Sequence, residues 1–154
     1  MMTDAEIQEL WYSLSGLEFV QATIDGQISM GTMADTMGIK AVKADHGFLG
    51  LEAIPTTEHL NPAGTVHGGY AATVLDMVTG IVVQTILDAG QSCATVDLSV
   101  QMIKPLPLGK SVKAEGHLIR RTRTLAFTKG SLIDDTGDIY AHAQSTVMIF
   151  TGRK

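Results

Sequence analysis

Gly68-Gly69-Tyr70-Ala71-Ala72-Thr73-Val74-Leu75-Asp76-Met77-Val78-Thr79-Gly80-Ile81-Val82-Val83-Gln84-Thr85-Ile86-Leu87 is the stretch on which the fold turns. It is apolar over almost all of its length, interrupted by Asp76 and Gln84. A helix that is apolar nearly all round is either a membrane span or the core helix of a folded domain. An Asp at the centre of a span costs roughly 2.5–3.5 kcal/mol on insertion scales, and no basic flank is present to orient one. The stretch therefore reads as a buried helix, opening at His67-Gly68-Gly69 and closing near Asp88-Ala89-Gly90.

The elements on either side say what that helix is buried against. Downstream, Ala94, Val96, Leu98, Val100 and Met102 alternate with Thr95, Asp97, Ser99 and Gln101, which predicts a half-buried strand over about 93–102. Lys104-Pro105-Leu106-Pro107-Leu108-Gly109 ends it. Further strands are expected over about Ser111–Arg121, Thr124–Ile133 and Asp138–Phe150, with Asp134-Asp135-Thr136-Gly137 as a turn. Upstream, Ile39–Ala44 and Phe48–Pro55 are strand candidates around the hairpin signal Asp45-His46-Gly47. The loop Thr56–Val66, broken by Asn61-Pro62 and Gly64, leads into the helix. Before Gly38, Ile7, Leu10, Trp11 and Leu14 fall at helical spacing behind the cap candidates Thr3 and Asp4, and a second helix is expected over about Leu17–Ile24. Consecutive strands joined only by turns are antiparallel. The expected class is α+β: an antiparallel sheet with one long helix on its face, residues 1–37 being a helical extension and 38–154 the main domain.

Composition narrows the function classes. The chain has 154 residues, 45% of them apolar, and a net charge of −5, which suits one domain and argues against a broad nucleic-acid-binding surface. The N-terminal Met1-Met2-Thr3-Asp4-Ala5-Glu6 carries neither basic nor apolar leader character. One cysteine, Cys93, forms no internal disulfide and is read as a structural thiol; together these point to the cytoplasm. The histidines His46, His59, His117 and His142 lack metal-ligand spacing, so no metal is expected.

Three features of the central stretch carry chemistry. The first turn at Gly68 and Gly69 offers unpaired N–H groups at the positive end of the helix dipole, suited to a carbonyl oxygen gaining charge in acyl transfer. Glycines there also permit close helix–sheet packing. Asp76 is a carboxylate in an apolar helix, a position rare unless paired or functional. Finally, eight residues separate Gly68 from Asp76, about 12 Å along the axis, so one small carbonyl cannot meet both within one chain. A two-fold dimer could bring Gly68 of one copy opposite Asp76 of another.

In order along the chain stand Asn61, His67-Gly68-Gly69, Asp76, Thr95-Val96-Asp97, Lys104-Pro105 and Arg123-Thr124-Leu125-Ala126. This series resembles the hotdog-fold acyl-CoA thioesterases, and among them the phenylacetic-acid-degradation (PaaI-like) group. The match runs from about Gly38 to Phe150. The resemblance implies a hotdog fold, hydrolysis of an acyl-CoA thioester, and a homodimer or dimer of dimers with sites shared between subunits. The backbone N–H at Gly68 would polarise the thioester carbonyl. Asp76 of the partner copy would act as general base or as nucleophile. Asn61 would bind the thioester or the water, Thr95 would place the water, and His67 would orient the loop or simply cap the helix. Coenzyme A is then part of the substrate and no separate cofactor is implied. Gly69 is counted with the substrate-binding residues, and the CoA phosphates could meet Lys104, Arg121 and Arg123, with Arg120 and Lys110 nearby, although such cations also occur as ordinary surface charge. Two other functions fit the scaffold: a hotdog hydratase or dehydratase, and a non-catalytic acyl-CoA-binding module. Thiol release from acyl-CoA separates both from the thioesterase.

Overall fold

The computed structural model describes residues 2–152; Met1, Arg153 and Lys154, which the expected domain limits include, lie outside the described residues. Helices α1 (Asp4–Ser13) and α2 (Gly16–Ile24) form as expected. Each is closed by a capping box, Thr3 with Glu6 and Ser15 with Glu18, in which hydroxyl and carboxylate each satisfy a backbone N–H. The sequence reading misses a six-residue helix, α3 (Thr32–Met37), too short to show an apolar period. Gly38 ends it in the left-handed conformation, φ 63°.

Strands β1 (Ile39–Asp45), β2 (Phe48–Ala53), β3 (Gln91–Met102), β4 (Val112–Arg121), β5 (Leu125–Ile133) and β6 (Ile139–Thr151) form one antiparallel sheet in the order β1-β2-β4-β5-β6-β3. Helix α4 (Gly68–Gln84) lies across it, against β2 to β6, giving the architecture that the resemblance implies. Its residues Val74, Leu75, Val78, Val82 and Val83 are fully buried, facing Leu49, Leu51, Ala114, Leu132 and Val147 of the sheet. The apolar stretch is thus covered by sheet, and no helix among the described residues is long and apolar enough to cross a membrane.

Two details fix the helix on the sheet. Gly116 and Gly130 are direct partners across β4 and β5. A side chain on Gly116 would come within 2.5 Å of the Val78 carbonyl oxygen, and one on Gly130 within 2.8 Å of the Val78 side chain. The pair is a seat into which Val78 descends. Beside it, the buried Thr128 hydroxyl donates to the Thr79 carbonyl at 3.0 Å. The helix ends earlier than expected, at Gln84. The amides of Thr85, Ile86 and Leu87 turn back to the third residue before each, tightening the chain out of the α-helix.

The expected alternation along β3 is corrected. Ala94, Val96 and Met102 were expected on the buried face, yet all three are exposed, Val96 by 53% and Met102, at the strand's end, by 55%. The register against β6 shifts between Thr95 and Asp97, so the strand carries a bulge. A bulge inserts one unpaired residue and switches which residues face inward. Cys93 on one side of it, and Leu98 and Val100 on the other, contact the core.

Candidate active site

The loop before α4 is built by Asn61. Its Oδ1 accepts from the amides of Ala63 (3.0 Å) and Thr65 (3.2 Å), and its Nδ2 donates to Thr65 Oγ1 at 2.9 Å. The Asn61 amide also donates to the Thr65 carbonyl at 2.8 Å, closing a tight turn that brings in Gly64 at φ 79°. His67 then caps α4, its Nδ1 accepting from the Gly69 amide at 2.8 Å. The capping alternative for His67 is therefore realised, and it occupies the Gly69 N–H. The Gly68 N–H has no partner among the described residues. It borders a cleft of about 270 Å³ lined in part by His67, Ala71, Met102, Lys104 and Tyr140. Met102 lies so close that a side chain at Gly68 would come within 2.6 Å of its sulfur. Glycine at 68 is what lets anything approach this amide.

Two turns further along α4, Asp76 faces a second cleft, of about 220 Å³. Its Oδ1 is buried and has no hydrogen-bond partner. Buried carboxylate oxygens are rarely left so, and the exceptions ask for an explanation. Thr95 shares the cleft, its Oγ1 lying 3.3 Å from where a side chain on Gly80 would begin. The bulge that exposes Val96 is held by the Ser145 hydroxyl, which donates to the Asp97 carbonyl at 2.9 Å. Cys93 also borders this cleft, and burial pushes its thiol up to about 11, so it stays protonated and unreactive near neutral pH. Trp11 reaches the same cleft from α1, held edge-on to Phe19 at 4.8 Å.

The structure thus brings Asn61, His67, Gly68 and Gly69 together at the amino end of α4, and Asp76 with Thr95 at its middle. Within one chain it does not join the two groups: they line different clefts. Both clefts do reach the same edge strand, through Met102 and Thr95 of β3.

The basic residues divide. Lys104 lines the Gly68 cleft, bonded to Asp138, with Asp134 at 3.9 Å and its ammonium 4.5 Å from the Tyr140 ring centroid. The bond to Asp138, first among its causes, raises the Lys104 pKa and keeps the cation charged. Arg121, though exposed, reaches back to the chain: its guanidinium donates to the Ile86 carbonyl at 2.8 Å and to Gln91 Oε1 at 3.3 Å, tying down a carbonyl past α4. Arg123 stands exposed in the β4–β5 hairpin. No group of His, Cys, Asp and Glu fit to hold a metal occurs among the described residues.

Sequence reasoning missed Trp11, Met102 and Gln84 as cleft residues. For Gln84 a signal was present: Asp76, Gly80 and Gln84 recur every four residues and so share one helix face. Nothing in the sequence placed Trp11, because α1 joins the cleft through tertiary packing alone.

A family model described as the thioesterase superfamily matches residues 63–141. Acyl-coenzyme A thioesterase 13 of Homo sapiens is 30% identical over 109 residues, spanning 70% of this chain and 77% of that protein. The crystal structure of a phenylacetic acid degradation-related protein of Ralstonia eutropha JMP134 superposes with a TM-score of 0.76 at 30% identity, covering 84% of this chain and 98% of that one. A Streptococcus mutans protein crystallised with acetyl CoA has the same fold, with a TM-score of 0.68 at 23% identity over 75% of this chain and 91% of its own.

Proposed function

The chain belongs to the thioesterase superfamily, and from that premise we propose that it hydrolyses an acyl-CoA thioester to a carboxylic acid and free CoA, in a site shared between two copies. One observation carries the reading: the buried, unpartnered Asp76 Oδ1 in an apolar helix, facing a cleft beside the Thr95 hydroxyl. A carboxylate kept free of partners can accept a proton from water or attack carbon.

In the water route, Asp76 takes a proton as the water oxygen bonds to the thioester carbon, with Thr95 orienting that water. The carbonyl oxygen becomes an oxyanion and receives the Gly68 N–H at the positive end of α4. The C–S bond then breaks, the proton passes to the departing sulfur, and CoA leaves as its thiol. In the nucleophilic route, an Asp76 oxygen bonds to the carbon and the C–S bond breaks, the CoA sulfur leaving as a thiolate that takes a proton from water. A water then cleaves the anhydride, releasing the acid and restoring the carboxylate. Asn61 holds the loop that aims Gly68, and keeps one Nδ2–H for the thioester. His67 orients the same turn by capping it. Lys104 and Arg123 contact the CoA phosphates, with Gly69 beside them; Arg121 supports that end by holding the chain after α4.

The shared site rests on the bare edge of β3. An antiparallel pairing of β3 with its two-fold mate, about an axis near Leu98 and Ser99, would set Thr95 of one copy beside Met102 of the other. Each Asp76 cleft would then adjoin a partner Gly68 cleft. The exposed Ile119, Phe127 and Met148 supply an apolar surface on which two such dimers pack.

Free-thiol release from a panel of acyl-CoAs tests the activity; a hydratase, dehydratase or binding module releases none. Mixing inactive Asp76→Asn with an inactive Asn61 variant tests the sharing. Some activity should return once subunits exchange, because a heterodimer holds one intact site. No recovery after proven exchange removes the shared site.

A further inference from the structure

The Asp76 cleft has a polar end that thioester hydrolysis does not use. Gln84 lies eight residues beyond Asp76 on the same face of α4, about 12 Å along the axis, and both line one cleft with Gly80, which carries no side chain, between them under the Thr95 hydroxyl. Its side chain is 1% exposed and borders the cleft. The carboxamide makes one weak contact, the protonated Cys93 thiol facing Oε1 at 3.9 Å. Its Nε2 has no hydrogen-bond partner among the described residues, and Gln84 is not held by any backbone group through its side chain. Buried amides are nearly always satisfied, so an amide left open toward a cleft points to a ligand. The intervening wall is apolar, with Met77, Ile81 and Val147, and Trp11 closes it from α1. At about 220 Å³ the cleft exceeds the roughly 150 Å³ cavity that admits benzene, so it suits a short or medium acyl group.

On the reading that Asp76 marks the thioester carbon, we propose that Gln84 is a specificity-determining residue that selects acyl groups with a hydrogen-bonding oxygen, such as a hydroxyl, at the end remote from the thioester. The Gln84 amide donates to that oxygen, and the apolar wall carries the methylenes between. A plain alkyl end would bury the amide unpaired, and sites built to bond a hydroxyl reject analogues that lack it.

The test compares kcat/KM for hexanoyl-CoA with 6-hydroxyhexanoyl-CoA, and octanoyl-CoA with 8-hydroxyoctanoyl-CoA. In one of the two pairs the hydroxylated substrate should be favoured at least ~10-fold by the wild type. Gln84→Leu, of similar length and without the amide, should cancel or reverse the preference while still cleaving the plain substrate. If that variant does not fold, Gln84→Met replaces it. A wild type that does not favour the hydroxylated member of either pair overturns the proposal, as does an unchanged ratio in the folded variant. If no thiol is released at all, the hydrolytic reading fails on its own. Calorimetric binding of the matching free acids then decides Gln84 by the same ratio, and equal or absent binding overturns it.

Discussion

At the β1 edge of the sheet the chain covers its own open strand; at the β3 edge it leaves the strand bare. Strand β1 is seven residues long, bulged between Ala41 and Lys43, and studded with Lys40 and Lys43. Helices α2 and α3 pack against it. Short length, lysines, a bulge and a covering helix are the usual devices that stop an edge from pairing with another chain. Strand β3 is twelve residues long, has no lysine or arginine, pairs on one side with β6, and exposes Val96 and Met102. Both candidate clefts open along this second edge. The difference teaches that one edge is closed within the chain and the other is left open, and that both candidate clefts lie on the open side.

The comparison breaks most visibly at Asp76. Asp76→Asn should lower kcat by at least ~10²-fold with KM little changed, since it removes a charge acting in the transition state. A neutral amide is easier to bury than an ion, so the variant should fold. Full activity would leave Asp76 a structural residue and the β3 side without its chemistry.

The edges themselves can be set against each other. Val96→Asp adds a charge beside Asp97 on the bare strand; light scattering should then move from an oligomer toward the single-chain mass of 16.4 kDa, and activity should drop roughly tenfold or more. Val42→Asp makes the same change on β1, where Val42 is 45% exposed, and should alter neither mass nor rate. Equal responses, or a wild type that is already monomeric at micromolar concentration, would erase the distinction.

A smaller effect separates the two arginines. Arg123→Ala should raise KM for an acyl-CoA several-fold, about 1 kcal/mol, and leave a pantetheine thioester unchanged. Arg121→Ala should instead lower the melting temperature, because it releases the Ile86 carbonyl. Equal KM changes on both substrates would detach Arg123 from the nucleotide.

The smallest effect belongs to the covered side. The Thr3 amide, first among the causes, holds the Glu6 carboxyl below its usual range, and the Ser15 hydroxyl does so for Glu18. A carboxyl depressed in the folded state stabilises fully above its unfolded value, about 4.3, and that contribution is lost as pH falls through the folded value. Far-UV circular dichroism should show slight fraying of α1 and α2 on acidification below that range, without loss of the sheet. Glu6→Gln with Glu18→Gln should flatten the response; an unchanged acid profile would show that the boxes contribute nothing.

Much of the fold could be read from the chain because its signals are local. The apolar run around Asp76 marks α4, and period-two alternation marks the strands. What stayed hidden depends on contacts distant in sequence. The β3 bulge needs Ser145 of β6 to hold Asp97, so no pattern in residues 91–102 reveals it. Helix α4 stops at Gln84 rather than near Asp88 because Arg121, Gly16 and Gly47 take up groups at its end. Gly68 and Asp76 were legible as candidates because a glycine pair at a helix start and a carboxylate in an apolar helix are each unusual where they stand. Arg121 was legible only as charge, and charge does not say which way a guanidinium turns.

The glycine seat under Val78 makes α4 an axle keyed into its bearing. With Val78 sunk against Gly116 and Gly130, and Thr128 bonded beside it, the helix can neither roll nor slide without lifting off the sheet. Asp76 is two residues from that key, so its bearing on the cleft is set by the sheet and does not await a ligand. The parts without such a key are the Asn61 turn, α1 with Trp11, and the free side of β3. In amide hydrogen exchange, Val78 to Val82 should be among the last positions to label, and the Asn61–His67 turn among the first.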